Sequence, residues 1–442
     1  MSGRPDGAAS GEESARAARR ARVRERLGPG GALVLCASPE PRAGSDTELR
    51  YLADSSLYYL SGCLQPETGL VLCGSAEQPA YTLFVPDRDP DRELWTGARA
   101  GVEEARVAYG ADVAWPVTEL AAKLPGLLEQ TERVYYRLGA SAELDRLLLG
   151  LLAAGRAQRP RTGRGLHTIT DPGRALDELR LLKDETEIAH IRAACDVAVA
   201  SFRELRHGLR PGAGEWEIEA ALEAGFRRRG ASGPAFPSIV GSGANATVLH
   251  YSANRSVVAA GEVVLADAGA RTRMYCSDIT RCYPASGQFT TDQRAVYDVV
   301  WRAHDAGIAA AVPGAPVSAI HDAALRALLQ GMIELRLLAG DPDALSTQPD
   351  AYQRFYPHRT SHWLGLDVHD AGDYVVDGAP RVLRAGMVLT VEPGLYIPRA
   401  EATAPAGLRG TGIRLEDDVL ITASGPEVLT AALPLDPAKL FD

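Results

Sequence analysis

Three acidic residues lie in stretches where a buried strand should be apolar. Asp267 ends the run Val-Val-Leu-Ala-Asp, Glu392 ends Val-Leu-Thr-Val-Glu, and Glu416 ends Ile-Arg-Leu-Glu. A lone ionised carboxylate is costly to bury, so each of these acids must be paired, protonated or bound to a cation. Arg281 and Arg414 are the nearby basic residues, and two are too few to neutralise the set. The pattern therefore favours bound metal ions.

Two further residues extend this set. Asp278 in Cys-Ser-Asp-Ile-Thr and His362 in Ser-His-Trp bring it to four carboxylates and one imidazole, which balance two divalent ions. Hard oxygen donors with a single nitrogen favour Mn²⁺ or a similar first-row ion over a thiolate-type zinc site. Two such ions could hold a bridging water as hydroxide and polarise the carbonyl that it attacks. The predicted chemistry is hydrolysis.

Each of these residues also has a purely structural interpretation. Asp278 could be a turn or cap residue, and Asp267 or Glu416 could be half of an ion pair. A single histidine such as His362 is more often structural than a ligand. The strand pattern alone does not show that the five side chains converge in space.

Five ordered segments contain these residues. They are Asp267-Ala-Gly-Ala, Ser277-Asp-Ile-Thr-Arg281, His358-Arg-Thr-Ser-His-Trp-Leu-Gly-Leu-Asp-Val-His-Asp370, Thr390-Val-Glu-Pro-Gly-Leu-Tyr396 and Gly412-Ile-Arg-Leu-Glu-Asp-Asp418. Together they closely resemble the Xaa-Pro aminopeptidases (aminopeptidase P), with the Xaa-Pro dipeptidases, or prolidases, as near relatives. The resemblance covers almost the whole chain. It implies an α/β N-terminal domain of the creatinase N-terminal type, followed by an α+β pita-bread catalytic domain.

The resemblance also implies a ligand set and a reaction. Asp278 and Glu416 would bridge two metal ions, and Asp267 would chelate one of them. His362 and Glu392 would complete the shell of the other ion. The implied reaction is hydrolysis, by a metal-bridging hydroxide, of the bond between an N-terminal residue and a following proline. Its substrates would be peptides with proline at the second position.

Catalytic roles follow from the same resemblance. Glu392 would shuttle a proton, while His250 and His369 would hydrogen-bond the developing tetrahedral centre. Both histidines would thereby contact the substrate as well.

Recognition of proline requires a further set of side chains, because proline has no N–H and a fixed ring. His358, Tyr396 and Arg414 are the predicted walls of this pocket. The run from His358 to Ser361 carries Arg-Thr where the family commonly has Gly and an apolar residue. This departure concerns the local backbone and the pocket entrance, and it leaves the ligands untouched.

A chain of 442 residues predicts two domains. Residues 1–12 lack the apolar content to order themselves and are predicted to be a disordered tail. The N-terminal domain is predicted at 13–170, a linker at 171–182 and the catalytic domain at 183–438. The junction is placed there because the stretch from Arg156 to Arg174 is rich in Arg, Gly, Pro and Thr and lacks a convincing periodicity. The arginine-rich segment at residues 15–26 is interpreted as a solvated helix.

Apolar periodicity predicts particular helices and strands in both halves. The predicted helices are Val117–Gln130, Ala142–Ala157, Trp216–Arg229, Thr291–Ala311 and Val317–Leu338. The predicted strands in the second half are Glu262–Ala268, Met274–Pro284, Met387–Ile397 and Gly412–Thr422.

Charge and composition narrow the partners and the location. A net charge of -10 would repel a phosphate backbone, and no apolar run approaches the roughly 20 residues of a membrane helix, so neither nucleic acid nor membrane is an expected partner. No secretory or mitochondrial signal pattern is recognised, which predicts a cytoplasmic protein. The six cysteines form no CxxC pair and are predicted to be free, buried thiols. Trp95 resembles an aromatic that family oligomers offer to a neighbouring active site, which implies a homodimer or homotetramer.

Two other functions compete with the aminopeptidase. A prolidase would carry the same metal site but accept only dipeptides. A non-catalytic binding protein with this fold should lack ligands, whereas all five positions are filled here. Methionine aminopeptidases usually lack the first domain, and creatinase does not keep this ligand set.

Overall fold

A computed structural model describes residues 6–205 and 208–441 of the chain. It divides into two compact units between Leu179 and Arg180. None of the helices in these ranges has both the length and the apolar character needed to cross a membrane. The first helix, Asp6–Leu27, overlaps the tail predicted at residues 1–12. Residues 1–5 lie outside the described residues.

The first unit is the predicted α/β arrangement, built around one mixed sheet. In order across the sheet, its strands are Val113–Pro116, Tyr81–Val85, Gly69–Cys73, Gly31–Cys36, Arg133–Tyr135 and Thr168–Thr170. The second, third and fourth strands of this order pair antiparallel, and the outer pairs are parallel. The helices are Asp6–Leu27, Ser55–Ser61, Pro90–Thr96, Gly101–Ala108, Leu120–Leu127 and Ala142–Thr162, with a 3-10 turn at Val117–Glu119 and a hairpin of Arg42–Ala43 with Thr47–Glu48.

The arginine-rich first helix is not simply solvated, contrary to the prediction. Arg19 and Arg20 are buried, and their guanidinium groups donate to the backbone carbonyls of Tyr59 and Leu60. These carbonyls belong to the last turn of Ser55–Ser61, where a helix leaves its C=O groups without partners of its own. The two arginines therefore serve as caps for a neighbouring helix.

The predicted linker at residues 171–182 is largely helical rather than irregular. The helix Gly173–Leu181 occupies most of it. The strand Thr168–Thr170, just before this helix, pairs in parallel with Arg133–Tyr135. Of the glycine and proline residues that suggested an irregular segment, Pro160 lies inside the helix Ala142–Thr162, and Gly163 caps the end of that helix.

The second unit has the predicted α+β character. Its helices are Glu185–Leu205, Glu215–Arg228, Thr291–Ala310, Ser318–Glu334, Pro342–Ser346 and Pro349–Tyr352, with 3-10 turns at Gly243–Thr247 and Ala406–Leu408. Its strands are Gly233–Pro234, Ile239–Ser242, Val263–Ala268, Ala270–Thr272, Tyr275–Cys276, Ile279–Pro284, Val375–Val376, Ala379–Pro380, Val388–Val391, Gly394–Ile397, Thr411–Arg414, Asp417–Thr422 and Gly425–Val428. All the strand pairs recorded for this unit are antiparallel.

The helix Glu185–Leu205 shows how the apolar pattern supports the strands of this unit. Ile191, Cys195 and Phe202 lie on one face and are almost completely buried. That face packs against the short strands that precede Asp278. Removal of this apolar area from water stabilises the position of the strand end from which Asp278 follows.

The predicted long strand over residues 387–397 is broken at Glu392. Pro393 follows it and has no N–H to donate to a ladder, so Val388–Val391 and Gly394–Ile397 join different sheets. The prediction that Glu392 lies inside a strand is therefore wrong: it lies at the end of one.

The predicted strand over residues 412–422 is broken in the same way. Thr411–Arg414 and Asp417–Thr422 belong to different sheets, and Glu416 lies between them. A single bridge pairs Glu416 with Thr280, so this acid is held between two sheets rather than within one.

A third break places Asp278 between Tyr275–Cys276 and Ile279–Pro284. Only Asp267, of the four acids, stays within a regular strand, Val263–Ala268. Three of the four acids therefore lie next to strand ends, where their side chains can face one cavity.

Candidate metal centre

A cavity of about 540 Å³ in the second unit is lined by all five predicted metal ligands. These ligands are Asp267, Asp278, His362, Glu392 and Glu416. They come from separate segments of the chain, and the fold brings them to one wall. The lining also includes four other predicted site residues, which are His250, His358, His369 and Arg414.

The ligand atoms are close enough to share a cation. One carboxylate oxygen each of Asp278 and Glu416 and a ring nitrogen of His362 lie within 4.8 Å of one another. His362 Nε2 is 3.5 Å from Asp278 Oδ2 and 3.7 Å from Glu392 Oε1. These separations exceed those of good hydrogen bonds, roughly 2.7–3.2 Å. They suit donors arranged around an ion.

The tautomer of His362 fits a metal ligand. Its Nδ1 lies 3.1 Å from the carbonyl oxygen of Trp363, and because a carbonyl only accepts, Nδ1 carries the proton. In the neutral imidazole, the lone pair of Nε2 then faces the carboxylates of Asp278 and Glu392. Lone pairs that face one another repel, and a cation between them turns the repulsion into attraction. Metal-bound histidines typically donate their other N–H to a carbonyl or carboxylate in this way.

Two carboxylate oxygens of the cluster have no hydrogen-bond partner. Within residues 6–205 and 208–441, Asp267 Oδ1 and Asp278 Oδ1 are buried and unpaired. The other oxygen of Asp267 accepts from Arg414 at 2.5 Å. Since buried polar atoms are nearly always satisfied, these two oxygens are suitable positions for metal bonds.

Repulsion among the carboxylates also indicates that this cluster binds cations. Burial, and then the charges of Glu416 and Asp267, raise the pKa of Asp278 well above its ordinary value. Burial and the charge of Glu416 likewise raise the pKa of Glu392. Burial and the charge of Asp267 raise the pKa of Glu416 to about 7. The acids can all be ionised at neutral pH only if cations compensate them.

Backbone hydrogen bonds fix His362 beside Glu392. The N–H of Thr390 donates to the carbonyl of His362 at 2.9 Å, and the N–H of Glu392 donates to the carbonyl of Thr360 at 2.8 Å. The Thr390 hydroxyl accepts from the N–H of His362 at 3.2 Å. The segment that carries the histidine is therefore aligned with the end of the strand that carries the acid.

Thr280 contacts the acid cluster, although the sequence assigned it no role within its recognised segment. Its hydroxyl donates to Glu416 Oε2 at 2.6 Å and accepts from Arg414 Nε at 3.2 Å. Its backbone is paired with Asp267 across the sheet. Thr280 thus links two of the acids with the arginine between them.

Asp418 is a second such residue. Its Oδ2 accepts from the backbone N–H of Asp278 at 3.0 Å and from the thiol of Cys195 at 3.3 Å. Burial raises the pKa of Asp418 well above its ordinary value. The side chain therefore helps to hold the backbone of a ligand in place.

His358, Tyr396 and Arg414 form a hydrogen-bonded chain. His358 Nδ1 donates to the carbonyl of Arg359 at 2.7 Å, so Nε2 accepts from the Tyr396 hydroxyl at 2.8 Å. The Tyr396 oxygen accepts in turn from Arg414 at 2.9 Å. Burial, and then the charge of Arg414, lower the pKa of His358 to about 3. The imidazole is therefore neutral at neutral pH.

His369 and His250 are exposed residues of the cavity lining. The rings of His369 and His362 meet edge to face, with centroids 4.4 Å apart. Burial, and then the charges of His362 and His250, lower the pKa of His369. A neutral imidazole beside the ligands can donate one hydrogen bond without adding charge.

The apolar part of the lining is not predicted from the sequence. It includes Phe236, Pro237, Leu249 and Val368. Apolar residues occur throughout the chain, so no sequence signal distinguishes these four from residues of the core.

Trp95, the remaining predicted site residue, belongs to the first unit. It lies on the helix Pro90–Thr96, and 86% of its surface is exposed.

Comparisons with known proteins identify relatives of both units. Residues 189–423 match the model of metallopeptidase family M24, and residues 16–135 match that of the aminopeptidase P N-terminal domain. The Xaa-Pro aminopeptidase of Escherichia coli is 37% identical over 96% of this chain and 95% of its own. That of Haemophilus influenzae is 36% identical over 96% of this chain and 95% of its own. The solved structure of Pseudomonas aeruginosa aminopeptidase PepP is 39% identical, covers 97% of both chains and superposes with a TM-score of 0.92.

These matches extend over both units, and the relatives are named aminopeptidases rather than prolidases. The chain belongs to metallopeptidase family M24, and within that family it is one of the Xaa-Pro aminopeptidases.

Proposed function

We propose that Asp267, Asp278, His362, Glu392 and Glu416 hold two divalent ions in this Xaa-Pro aminopeptidase. The observation that carries the assignment is the pair of unpaired buried oxygens on Asp267 and Asp278, beside an imidazole whose lone pair faces carboxylates. By the resemblance, Asp278 and Glu416 would hold both ions, while Asp267, His362 and Glu392 would each hold one. Metal-dependent hydrolysis before proline is the activity of the enzyme.

We propose Mn²⁺ as the ion. The donor set is oxygen-rich with one imidazole, which suits a hard or borderline first-row cation. Thiols are not part of the donor set, since none of the cysteines that the structure describes lines this cavity. Equilibration of the metal-free protein with Mn²⁺, Zn²⁺ and Co²⁺ in turn, followed by kinetics and metal analysis, tests the choice.

Bound ions would supply a nucleophile derived from water at neutral pH and would polarise the scissile carbonyl. The protein's own groups complete the reaction. Glu392 can accept a proton and return it to the leaving proline nitrogen. His250 and His369 can donate hydrogen bonds to the carbonyl oxygen as it becomes tetrahedral.

Binding of the proline ring is assigned to His358, Tyr396 and Arg414. Their hydrogen-bonded chain fixes the three side chains, and the neutral His358 ring offers a face to an apolar ring. The site needs no group that pairs with a substrate N–H at this position, because proline has none.

The experiment that tests the proposal compares two peptides. Full-length protein is freed of metal, reloaded with Mn²⁺ and given Arg-Pro-Pro or the dipeptide Ala-Pro, and release of the first amino acid is measured. Release from Arg-Pro-Pro, with two ions bound per chain, is the expected result. Cleavage of Ala-Pro alone would identify a prolidase, and cleavage of neither by the metal-loaded protein would overturn the assignment.

We also propose the domain limits 13–170 and 183–438, a homodimer or homotetramer, and a cytoplasmic location. The matched family segments and the division at residue 179 support the two domains. The exposed Trp95 supports a contact between subunits. The six free thiols, five of them buried, agree with the prediction and suit a reducing compartment. Sedimentation of the wild type and of Trp95→Ala tests the assembly.

A further inference from the structure

Arg359 is held beside the metal centre by its neighbours in the chain. Its carbonyl accepts from His358 Nδ1 at 2.7 Å. The next residue, Thr360, is fully buried, with its hydroxyl 2.6 Å from that of Tyr356 and its carbonyl bonded to the N–H of Glu392 at 2.8 Å. Because both flanking residues are fixed to the site, the origin of the Arg359 side chain is fixed as well.

The guanidinium of Arg359 is available to a ligand. The side chain is exposed and lines the cavity. Among the residues that the structure describes, it forms no hydrogen bond and no ion pair. The other arginine of the lining, Arg414, is already engaged by Asp267 and Tyr396. Arg359 is therefore the uncommitted arginine of this wall.

Charge determines what such a group attracts. A guanidinium is always charged, and its parallel N–H groups match the two oxygens of a carboxylate. It repels the positive amino terminus of a peptide, which the acidic ligand cluster attracts. A peptide bound with its amino end at the acidic cluster would therefore bring residues that follow the scissile bond to Arg359, which lines the same cavity.

We propose that Arg359 is a specificity-determining residue, which binds a carboxylate of the substrate on the C-terminal side of the proline. The inference rests on the proposed metal site. The carboxylate is that of an acidic third residue or the free C-terminus of a tripeptide, and the recognition chemistry is the same for both.

The test measures kcat/KM for two pairs of peptides with the full-length, Mn²⁺-loaded protein. Ala-Pro-Glu-Ala amide against Ala-Pro-Gln-Ala amide isolates the side chain, and Ala-Pro-Gln acid against its amide isolates the C-terminus. We expect the carboxylate-bearing peptide of at least one pair to be preferred by roughly three- to tenfold, since the ion pair between Arg359 and the carboxylate would be partly exposed. The preference should fall as salt is added.

Substitution at Arg359 assigns the effect. Arg359→Gln should reduce the ratio to about one, Arg359→Lys should keep part of it, and Arg359→Glu should invert it. Arg399→Gln, at an exposed arginine outside this cavity lining, is the matched control and should leave the ratio unchanged. A defect in the metal site would lower kcat/KM for both peptides of a pair. Loss of the Arg359 contact would lower kcat/KM only for the peptide that carries the carboxylate. Equal ratios in the wild type and Arg359→Gln, or no preference in either pair, would overturn the inference.

Discussion

Hydrogen bonds to the backbone orient single residues of the site. Backbone carbonyls hold the Nδ1 protons of His358 and His362, so both imidazoles present Nε2 as an acceptor. Nε2 of His358 accepts a hydrogen bond from the Tyr396 hydroxyl, and Nε2 of His362 faces carboxylates. The same local hydrogen bond therefore suits His358 to the proposed proline pocket and His362 to the proposed metal site.

His369 offers a test of the catalytic assignment that does not disturb the ligands. We expect His369→Ala to lower kcat by roughly 10²–10³-fold, the usual loss when one donor to a developing oxyanion is removed. Metal content should remain at two ions per chain, because His369 contacts the ring of His362 but is not itself one of the proposed ligands. Steady-state kinetics with Arg-Pro-Pro and metal analysis provide both measurements.

The control for this prediction is His167→Ala, at a histidine of the first unit that lies near Glu132. Its kcat should match that of the wild type. Full activity of His369→Ala, or a loss of activity that follows a loss of metal, would contradict the assigned role.

Thr280 tests how far the metal site depends on its neighbours. Thr280→Val removes the hydroxyl that donates to Glu416 at 2.6 Å, with almost no change of volume. We expect metal affinity to fall by about 10–100-fold, as is typical when a group that orients a ligand is lost. Titration of metal-free protein with Mn²⁺, followed by binding and by recovered activity, measures the change. Thr280→Ser keeps the hydroxyl and should bind close to normally; equal affinities in the two variants would refute the role.

At the scale of elements, periodicity predicted helices better than strand limits. Helices predicted at Thr291–Ala311 and Val317–Leu338 are observed at Thr291–Ala310 and Ser318–Glu334, because their apolar faces repeat with the helical period. The predictions of long strands were wrong where an acidic residue lies at a break between two shorter strands. A run such as Val-Leu-Thr-Val-Glu-Pro reads as one strand by composition, and only the missing N–H of Pro393 indicates the break.

One buried acid outside the metal centre organises a whole loop. Glu215 is completely buried, and its Oε1 accepts from the N–H and hydroxyl of Ser242 and from the Asn245 amide. Its Oε2 accepts from the Tyr251 hydroxyl and the Ser256 N–H. All these donors belong to the segment 242–256, and none of them is charged.

We expect Glu215→Gln to loosen this segment, which carries His250. The amide cannot replace both carboxylate oxygens as an acceptor, so some of the five bonds must be lost at a cost of about 1–3 kcal/mol in the free energy of unfolding. kcat should fall with little change in metal content, and amide exchange over residues 242–256 should accelerate. Glu219→Gln, one turn along the same helix, is the control. Unchanged exchange and unchanged kcat in Glu215→Gln would contradict the argument.

At the scale of the whole molecule, convergence of the ligands was beyond the reach of pattern alone. Asp267 and Glu416 are far apart in sequence, and no periodicity states that their side chains face one cavity. The likeness of the ordered segments to a known family supplied that step. The apolar walls and the positioning roles of Thr280 and Asp418 depend on tertiary contacts, which is why only the structure indicates them.

The cluster of acids should make the metal-free chain unusual in its response to pH. Folding raises the pKa of Glu416 from 4.5 to about 7, and those of Asp278 and Glu392 also rise. The folded state then holds protons that the unfolded chain releases, so this contribution to stability is present below pH 4.5 and is lost as the pH rises through about 7. For Glu416 alone the loss is roughly 3 kcal/mol.

Thermal melting of the chelated protein at pH 5.5 and pH 7.5 should therefore show lower stability at the higher pH. Added Mn²⁺ should remove or reverse the difference, because ions bind the ionised acids of the folded state alone. Glu416→Gln removes one of the repelling charges, so at pH 7.5 without metal it should melt above the wild type although it is inactive. Glu219→Gln, a charge removed outside the cluster, should melt like the wild type. If the chelated wild type and Glu416→Gln lose the same stability between the two pH values, Glu416 is not repelled by its neighbouring acids in the folded chain, and the electrostatic case for two cations fails.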